Sequence, residues 1–232
     1  MRWNVFVVDD HPIFRHGIVQ LINTEPDFFV CGEASSAPQA LSALRTVDAD
    51  AAVLDVSLQG TNGIELLKQI RAEHPDLPVL MLSMHDEKHY ALRALRAGAA
   101  GYIMKREDGD TFLSALRRVV AGETVVSPTF GQELIYRVVS SETSQSDSPI
   151  NVLTDREVEV LQLIGEGRSS REIAVNLNLS VKTVESHRLH MKEKLRLKNA
   201  AELVRFATDW VAQQSESDGE ASESENAASA AL

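Results

Sequence analysis

The chain has 232 residues, 44% hydrophobic and 25% charged, with one cysteine and a net charge of −11. That balance excludes full-length disorder and a disulfide-held miniprotein. No run of 18 apolar residues is present, and the short N-terminal run ends at Asp9-Asp10, so neither a transmembrane helix nor a secretory signal is expected. With Cys31 as the lone thiol, a cytoplasmic setting without membrane contact is predicted.

The first predicted strand is Trp3–Val8, and Pro12 opens a helix bearing Ile13, Phe14, Ile18, Leu21 and Ile22. Phe28–Cys31 reads as a second strand, followed by a helix over Pro38–Val47. A third strand spans Ala51–Val56, with a helix over Gly63–Glu73. A fourth spans Val79–Ser83, with a helix over Lys88–Ala97. A fifth spans Gly101–Met104, with a helix over Thr111–Ala121. Apolar strands alternating with helices predict a parallel sheet covered on both faces, with chemistry at the carboxyl ends of its strands.

A short helix is expected over 128–140, then a Ser- and acid-rich linker ending at Pro149. Residues 153–212 read as all-helical. Thr154 with Glu157 and Ser169 with Glu172 fit capping boxes, Gly165 and Gly167 end the first helix, and Ser180 caps a third. In that third helix Val184, Leu189 (or Met191) and Leu195 are core candidates, and a last helix covers Ala200–Trp210. Residues 213–232 lack the apolar content to fold alone. The acidity is uneven: residues 1–140 carry −5, 141–150 carry −2, 213–232 carry −5, and 151–212 carry +1. Within the last stretch, 180–198 holds Lys182, Arg188, Lys192, Lys194, Arg196 and Lys198 against Glu185 and Glu193, a local +4 that suits phosphates.

The strand ends place Asp9, Asp10, Asp55, Ser83 and Lys105 on one edge. An Asp after a strand is often only a turn or capping residue, but five chemistry-bearing residues at one edge point further. Clustered carboxylates repel unless a cation sits among them, and oxygen donors suit Mg²⁺. A metal and a nearby ammonium would let a carboxylate attack a phosphoryl group.

Residues 1–121 resemble the receiver domain of two-component response regulators. The matching pieces are VVDDHPIFRHG (Val7–Gly17), LDVSLQGTNGIE (Leu54–Glu65), MLSMHD (Met81–Asp86) and AGAAGYIMK (Ala97–Lys105). The resemblance implies a (βα)5 flavodoxin-like α/β fold. It also implies that Asp55 is the phosphoacceptor, that Asp10, Asp55 and the Ser57 carbonyl bind Mg²⁺, and that Asp9 acts through water. Ser83 and Lys105 would hold the phosphoryl group. Tyr102 matches a switch aromatic, with a plain core aromatic as the equal alternative. Gln59 stands where the family usually has Pro, which bears on loop rigidity. Met84 is bulkier than the family's usual residue and bears on access to the phosphoryl group.

Residues 153–207 resemble the LuxR-type helix-turn-helix of the NarL/FixJ class, a smaller all-α second domain. Leu153-Thr154, Arg156-Glu157, Gly165, Gly167, Glu172-Ile173-Ala174, Leu179-Ser180, Lys182-Thr183-Val184 and His187 carry the match. By resemblance Glu185, Ser186 and Leu189 face the groove, while Lys182, Thr183, Arg188 and Lys192 contact phosphates. Glu185 is often Lys in the family.

The expected organisation is a receiver at 1–121, a linker at 122–150 with a short helix, a DNA-binding domain at 151–212 and an acidic tail at 213–232. The expected function is a phosphorylation-dependent transcription regulator, not an enzyme beyond its own phosphorylation and dephosphorylation. Its partners would be a sensor histidine kinase, double-stranded DNA and, once phosphorylated, a second copy. A Mg²⁺-dependent phosphatase with an Asp nucleophile is the rival, disfavoured because Ser57 stands where its general-acid Asp would be. A protein-binding regulator that has lost DNA binding is the third reading, supported only by Glu185. His85 and His89 read as a surface pair lacking a third metal ligand, and Cys31 as a buried small hydrophobe.

Overall fold

The computed structural model describes residues 2–58, 61–84, 87–139 and 149–212. Gln59, His85, the 140–148 part of the linker and the 213–232 tail lie outside the described residues, as does the His89 side chain. The chain divides between residues 144 and 145 into two compact units, each described by itself.

In the first unit, β1 (Trp3–Val8), α1 (Pro12–Thr24), β2 (Phe28–Ala34), α2 (Ala37–Leu44) and β3 (Ala51–Asp55) follow the expected alternation. Next come a two-residue ribbon, β4 (Ser57–Leu58) with β5 (Thr61–Asn62), and α3 (Gly63–Glu73). They are followed by β6 (Val79–Ser83), α4 (Glu87–Arg96), β7 (Gly101–Met104), α5 (Gly109–Val120) and α6 (Pro128–Val139). The main sheet is parallel throughout, in the order β2-β1-β3-β6-β7. Every residue of β3 and β6 is buried, as strands covered on both faces require. Val5, Val7, Val53, Leu80 and Leu82 pack in one cluster with Ile22 of α1 and with Phe112, Leu116 and Val119 of α5. The alternate residues Phe6, Val8, Leu54 and Met81 are also buried, on the opposite face.

The strand order reverses between β1 and β3, so their carboxyl ends open a crevice where α/β folds collect their chemistry. Ile13 is 90% exposed, and Ile22 is the buried residue of this helix. The two are separated by about two and a half helical turns, so they lie on opposite faces.

The segment after α5 closes the outer edge of the sheet. The Val125 N–H donates to the Ala100 carbonyl and the Tyr102 N–H to the Val125 carbonyl, both at 2.9 Å. This covers the edge of β7. The buried Glu87 carboxylate accepts from the Ser127 N–H at 2.8 Å, and Ser127 Oγ accepts from the Phe130 N–H at 3.1 Å. Phe130 is buried, so α6 is fastened into the first unit by its opening turn.

The second unit has a 3₁₀ turn (Pro149–Val152), α7 (Asp155–Gly165), α8 (Ser170–Asn176), α9 (Val181–Lys194) and a helix α10 over 200–212. Both capping boxes form, at Thr154 with Glu157 and at Ser169 with Glu172, and Ser180 accepts from the Thr183 N–H. Asn178, at φ 49°, makes the left-handed turn between α8 and α9. Val158, Leu161, Ile173, Val184, Met191, Leu203 and Ala207 form the core. Val184 is buried as expected, and of the alternatives Leu189 and Met191 in α9, Met191 is buried and Leu189 is 49% exposed. Gly165 does more than end its helix. A Cβ there would overlap the Ala207 carbonyl and the Val211 side chain, so glycine lets α10 approach α7 closely.

Candidate functional site

Sheet order builds the first site. Asp9 follows the last residue of β1, and Asp55 ends the adjacent β3. The Asp55 side chain is only 1% exposed. Asp55 Oδ1 accepts from the Ser57 N–H at 3.2 Å, and its Oδ2 lies 2.7 Å from Lys105 Nζ. The same ammonium reaches Asp9 Oδ2 at 2.8 Å. Lys105 is placed by two contacts. Its N–H donates to the Ser83 carbonyl at 2.7 Å, and Nζ sits 4.5 Å above the Phe14 ring centroid. Ser83 is buried at the end of β6, beside β3 and β7.

The electrostatics are those of a site short of positive charge. Asp55 has its carboxyl pushed up to about 6, chiefly by burial, with Asp9 adding to the shift and Lys105 opposing it. Asp9 Oδ2 and Asp55 Oδ2 are buried, and the single ammonium of Lys105 serves both, at 2.8 and 2.7 Å. Asp9, Asp10, His11 and Asp55 each offer a ligand atom, all within 4.8 Å of one another. Three carboxylates around one ammonium leave a net negative cluster of oxygen donors, the set that a small hard divalent cation takes, so the residues fit such an ion.

Sequence reasoning missed five residues here. His11 lies beside all three carboxylates, with Nδ1 2.8 Å from Asp10 Oδ1. Arg15 donates to the Asp9 carbonyl at 2.6 Å and to Glu33 at 3.1 Å, tying α1 to the end of β1. Phe14 holds Lys105 from below. At Gly63 a Cβ would overlap the Asp55 carbonyl and Val56 Cα, so α3 can start against β3 only with glycine. The Asn62 side chain caps that start by accepting from Ile64 N–H at 2.7 Å. The signals were present as a His directly after two acids, and Phe14 and Arg15 about one helical turn beyond them.

Tyr102 is fully buried on β7, and Met84 is 71% exposed just past Ser83. Cys31 is half-buried rather than buried, and burial pushes its thiol up, away from thiolate reactivity.

The second site is the exposed face of α9. Lys182, Glu185, Ser186 and Leu189 are exposed there, and Thr183, Arg188 and Lys192 are half-buried. Thr183 shares a 2.8 Å hydrogen bond with the capping Ser180. The Glu185 carboxylate accepts from Ser170 Oγ and lies 3.9 Å from Arg188 Nε, so its charge is partly absorbed by its own unit. Lys194 must be struck from the basic patch. Its ammonium bonds Glu157, a nearly buried carboxylate, at 2.7 Å. Arg156 likewise turns inward, to Glu159 at 2.6 Å and to the Leu177 carbonyl at 2.7 Å. Burial holds the His187 imidazole below its usual range.

Comparison with known proteins matches both units. Residues 5–117 match the response regulator receiver domain, and residues 151–207 match the luxR family of bacterial regulatory proteins. The chain is 33% identical over 207 residues to the oxygen regulatory protein NreC of Staphylococcus carnosus, covering 88% of this chain and 95% of that one. It is 31% identical to the transcriptional regulatory protein DegU of Brevibacillus brevis, covering 86% and 90%. A two-component response regulator of the LuxR family from Aurantimonas sp. SI85-9A1 superposes with a TM-score of 0.56 at 34% identity, over 60% of this chain and 99% of that one. RcsB from Salmonella enterica serovar Typhimurium, bound to promoter rprA with a phosphomimetic BeF3-, superposes with a TM-score of 0.59 at 26% identity, over 90% and 99%. A five-stranded parallel sheet with a carboxylate-lined switch point, followed by a capped helix-turn-helix unit, therefore belongs to the two-component response regulators of the NarL/FixJ class.

Proposed function

We propose that the protein is a transcription regulator switched by phosphorylation of Asp55, with residues 1–121 as the receiver and 151–212 as the DNA-binding domain. One observation carries this reading: the buried Asp55 carboxylate faces Lys105 at 2.7 Å, next to the carboxylates at the end of the adjacent strand. A carboxylate oxygen of Asp55 attacks the phosphorus of a phosphohistidine on a sensor kinase. The O–P bond forms, the P–N bond breaks, and the imidazole leaves. Asp10, Asp55 and the Ser57 carbonyl would hold Mg²⁺, with Asp9 acting through water. When bound, Mg²⁺ neutralises charge on the transferring phosphoryl group.

Lys105 is already held on the reacting oxygen, so it stays paired with the added phosphoryl oxygens while its bond to Asp9 weakens. Ser83, one strand away, donates its hydroxyl to the same group. The gain in negative charge shifts a two-state equilibrium by a few kcal/mol, read out through Tyr102 and β7. Hydrolysis of the acyl phosphate by the same residues resets the switch. Its one reaction is on itself.

The output is dimerisation and binding to two DNA half-sites. Glu185, Ser186 and Leu189 reach base edges, and Lys182, Thr183, Arg188 and Lys192 reach phosphates. DNA as the target places the regulator in the cytoplasm; among the described residues no helix is long and apolar enough to cross a membrane.

The test is selection of genomic DNA fragments by the purified chain, with and without Mg²⁺ and a small phosphodonor, beside Asp55→Asn. Donor-dependent enrichment that Asp55→Asn abolishes is expected. Enrichment that ignores donor and variant alike overturns the switch. No enrichment in any arm overturns the DNA function.

A further inference from the structure

We propose that the hydrogen bond between Glu87 and Ser127 is a latch that holds the start of α6 to the receiver, and that phosphorylation of Asp55 opens it. This rests on reading Asp55 as the phosphoacceptor.

Glu87 is a buried acid that the phosphorylation chemistry does not use. It is 8% exposed, and glutamate is rarely buried unless a partner answers it. Its carboxylate accepts from the Ser127 N–H at 2.8 Å, across 40 positions of sequence. A hydrogen bond to a carboxylate is roughly twice as strong as one between neutral groups.

The two partners sit at informative places. Glu87 opens α4, just beyond Ser83 at the end of β6. Ser127 directly precedes α6, and its Oγ accepts from the Phe130 N–H at 3.1 Å. The same segment is fixed a second time, where the Tyr102 N–H donates to the Val125 carbonyl. Tyr102 lies on β7, which Lys105 follows. The start of α6 is therefore bonded both to the helix that follows Ser83 and to the strand that precedes Lys105. Ser83 and Lys105 are themselves joined, since the Lys105 N–H donates to the Ser83 carbonyl at 2.7 Å.

Phosphorylation acts on this arrangement through Ser83. Its hydroxyl must move toward the new phosphoryl oxygens to donate to them, and the short chain from Ser83 to α4 carries that shift into Glu87. A 2.8 Å hydrogen bond is lost beyond about 3.5 Å, so a displacement under about 1 Å opens the latch. Packed interiors switch between discrete arrangements rather than stretch, so the bond is made or broken. Once it is broken, the first turn of α6 rests on Val125 and Phe130, and the segment leading to the second unit loosens.

The experiment follows amide hydrogen exchange of the full chain with Mg²⁺, before and after a small acyl phosphate donor, with Asp55 labelling read from the intact mass. In wild type, labelling is expected to speed exchange over 127–139 by about tenfold, the worth of one charge-assisted hydrogen bond. Glu87→Ala removes the acceptor. It is expected to take the label as wild type does, to exchange about tenfold faster over 127–139 before the donor, and to gain under about twofold from it. Glu87→Gln keeps a carbonyl oxygen for the Ser127 N–H and should respond as wild type. Ser127→Ala loses the hydroxyl cap but keeps the N–H, so it should start faster and still respond to the donor. Exchange in β1 and β3 reports on the rest of the unit. Should Glu87→Ala speed those strands as much as 127–139, Glu87 is merely structural and the latch is overturned. A labelled wild type with unchanged exchange over 127–139, or Glu87→Ala as responsive as wild type, overturns it too. A wild type that takes no label overturns the phosphoacceptor reading on which the latch rests, and the intact mass tells that result from the others.

Discussion

Replacing Asp55 by asparagine should stabilise the fold at neutral pH. The Asp55 carboxyl is raised from its ordinary 3.8 to about 6, with burial as the main cause. A carboxyl raised in the folded state keeps a proton that the unfolded chain has already released. Its stabilising contribution is therefore full below pH 3.8 and is lost as pH rises through about 6. At pH 7.5 the ionised group weighs against folding by about two pH units of proton affinity, ~3 kcal/mol. In Asp55→Asn the amide keeps the volume and the acceptor for the Ser57 N–H, and Lys105 keeps Asp9 at 2.8 Å. Urea unfolding of the full chain in metal-free buffer should show the variant more stable by ~1–3 kcal/mol at pH 7.5 and by nearly nothing at pH 4. Added Mg²⁺ should narrow the gap by stabilising wild type alone. Equal stability at pH 7.5, or a gain that does not shrink on acidification, would refute the argument that burial of this charge destabilises the fold.

Gly63→Ala forces a methyl group into the Asp55 carbonyl and Val56 Cα, both backbone, and should cost ~2–3 kcal/mol by urea unfolding while depressing acyl phosphate labelling of Asp55. Lys194→Met leaves the buried Glu157 carboxylate with the Thr154 N–H but without its counter-charge, so the second unit should lose ~1–3 kcal/mol while the salt dependence of DNA binding stays as in wild type. Lys182→Ala should do the reverse, leaving stability unchanged and reducing the salt slope by about one. Identical behaviour of the two lysine variants would contradict the separation of structural from phosphate-facing charge on α9. Ser127→Ala removes the hydroxyl that caps the first turn of α6, and amide exchange over 128–139 should speed up by about fivefold, equivalent to ~1 kcal/mol.

Much of the fold was legible because local chemistry and global architecture agree. The apolar runs 3–8, 51–55, 79–83 and 101–104 are best satisfied as strands covered on both faces, and each ends in a polar residue (Asp55, Ser83) or is followed directly by one (Asp9, Lys105). Thr154, Ser169 and Ser180 mark helix starts because a short hydroxyl side chain can satisfy an N–H that the helix leaves open. These signals are local, so they survive in one dimension. The ribbon of β4 and β5 was not visible, because two residues per strand carry no period.

The distances that make the site could not be read the same way. Asp9 and Lys105 are 96 positions apart in sequence, and whether they meet depends on β1 and β7 both lying near β3, which is a matter of sheet order. The sequence also carried no sign that Ile13 points to solvent, that Lys194 is bound to Glu157, or that Gly63 and Gly165 are needed for backbone contact. Composition and pattern state which residues are apolar, charged or small. Which charge meets which, and which glycine faces another backbone, follows from how the elements pack, since Coulomb energy and steric overlap depend on separation in space and not along the chain.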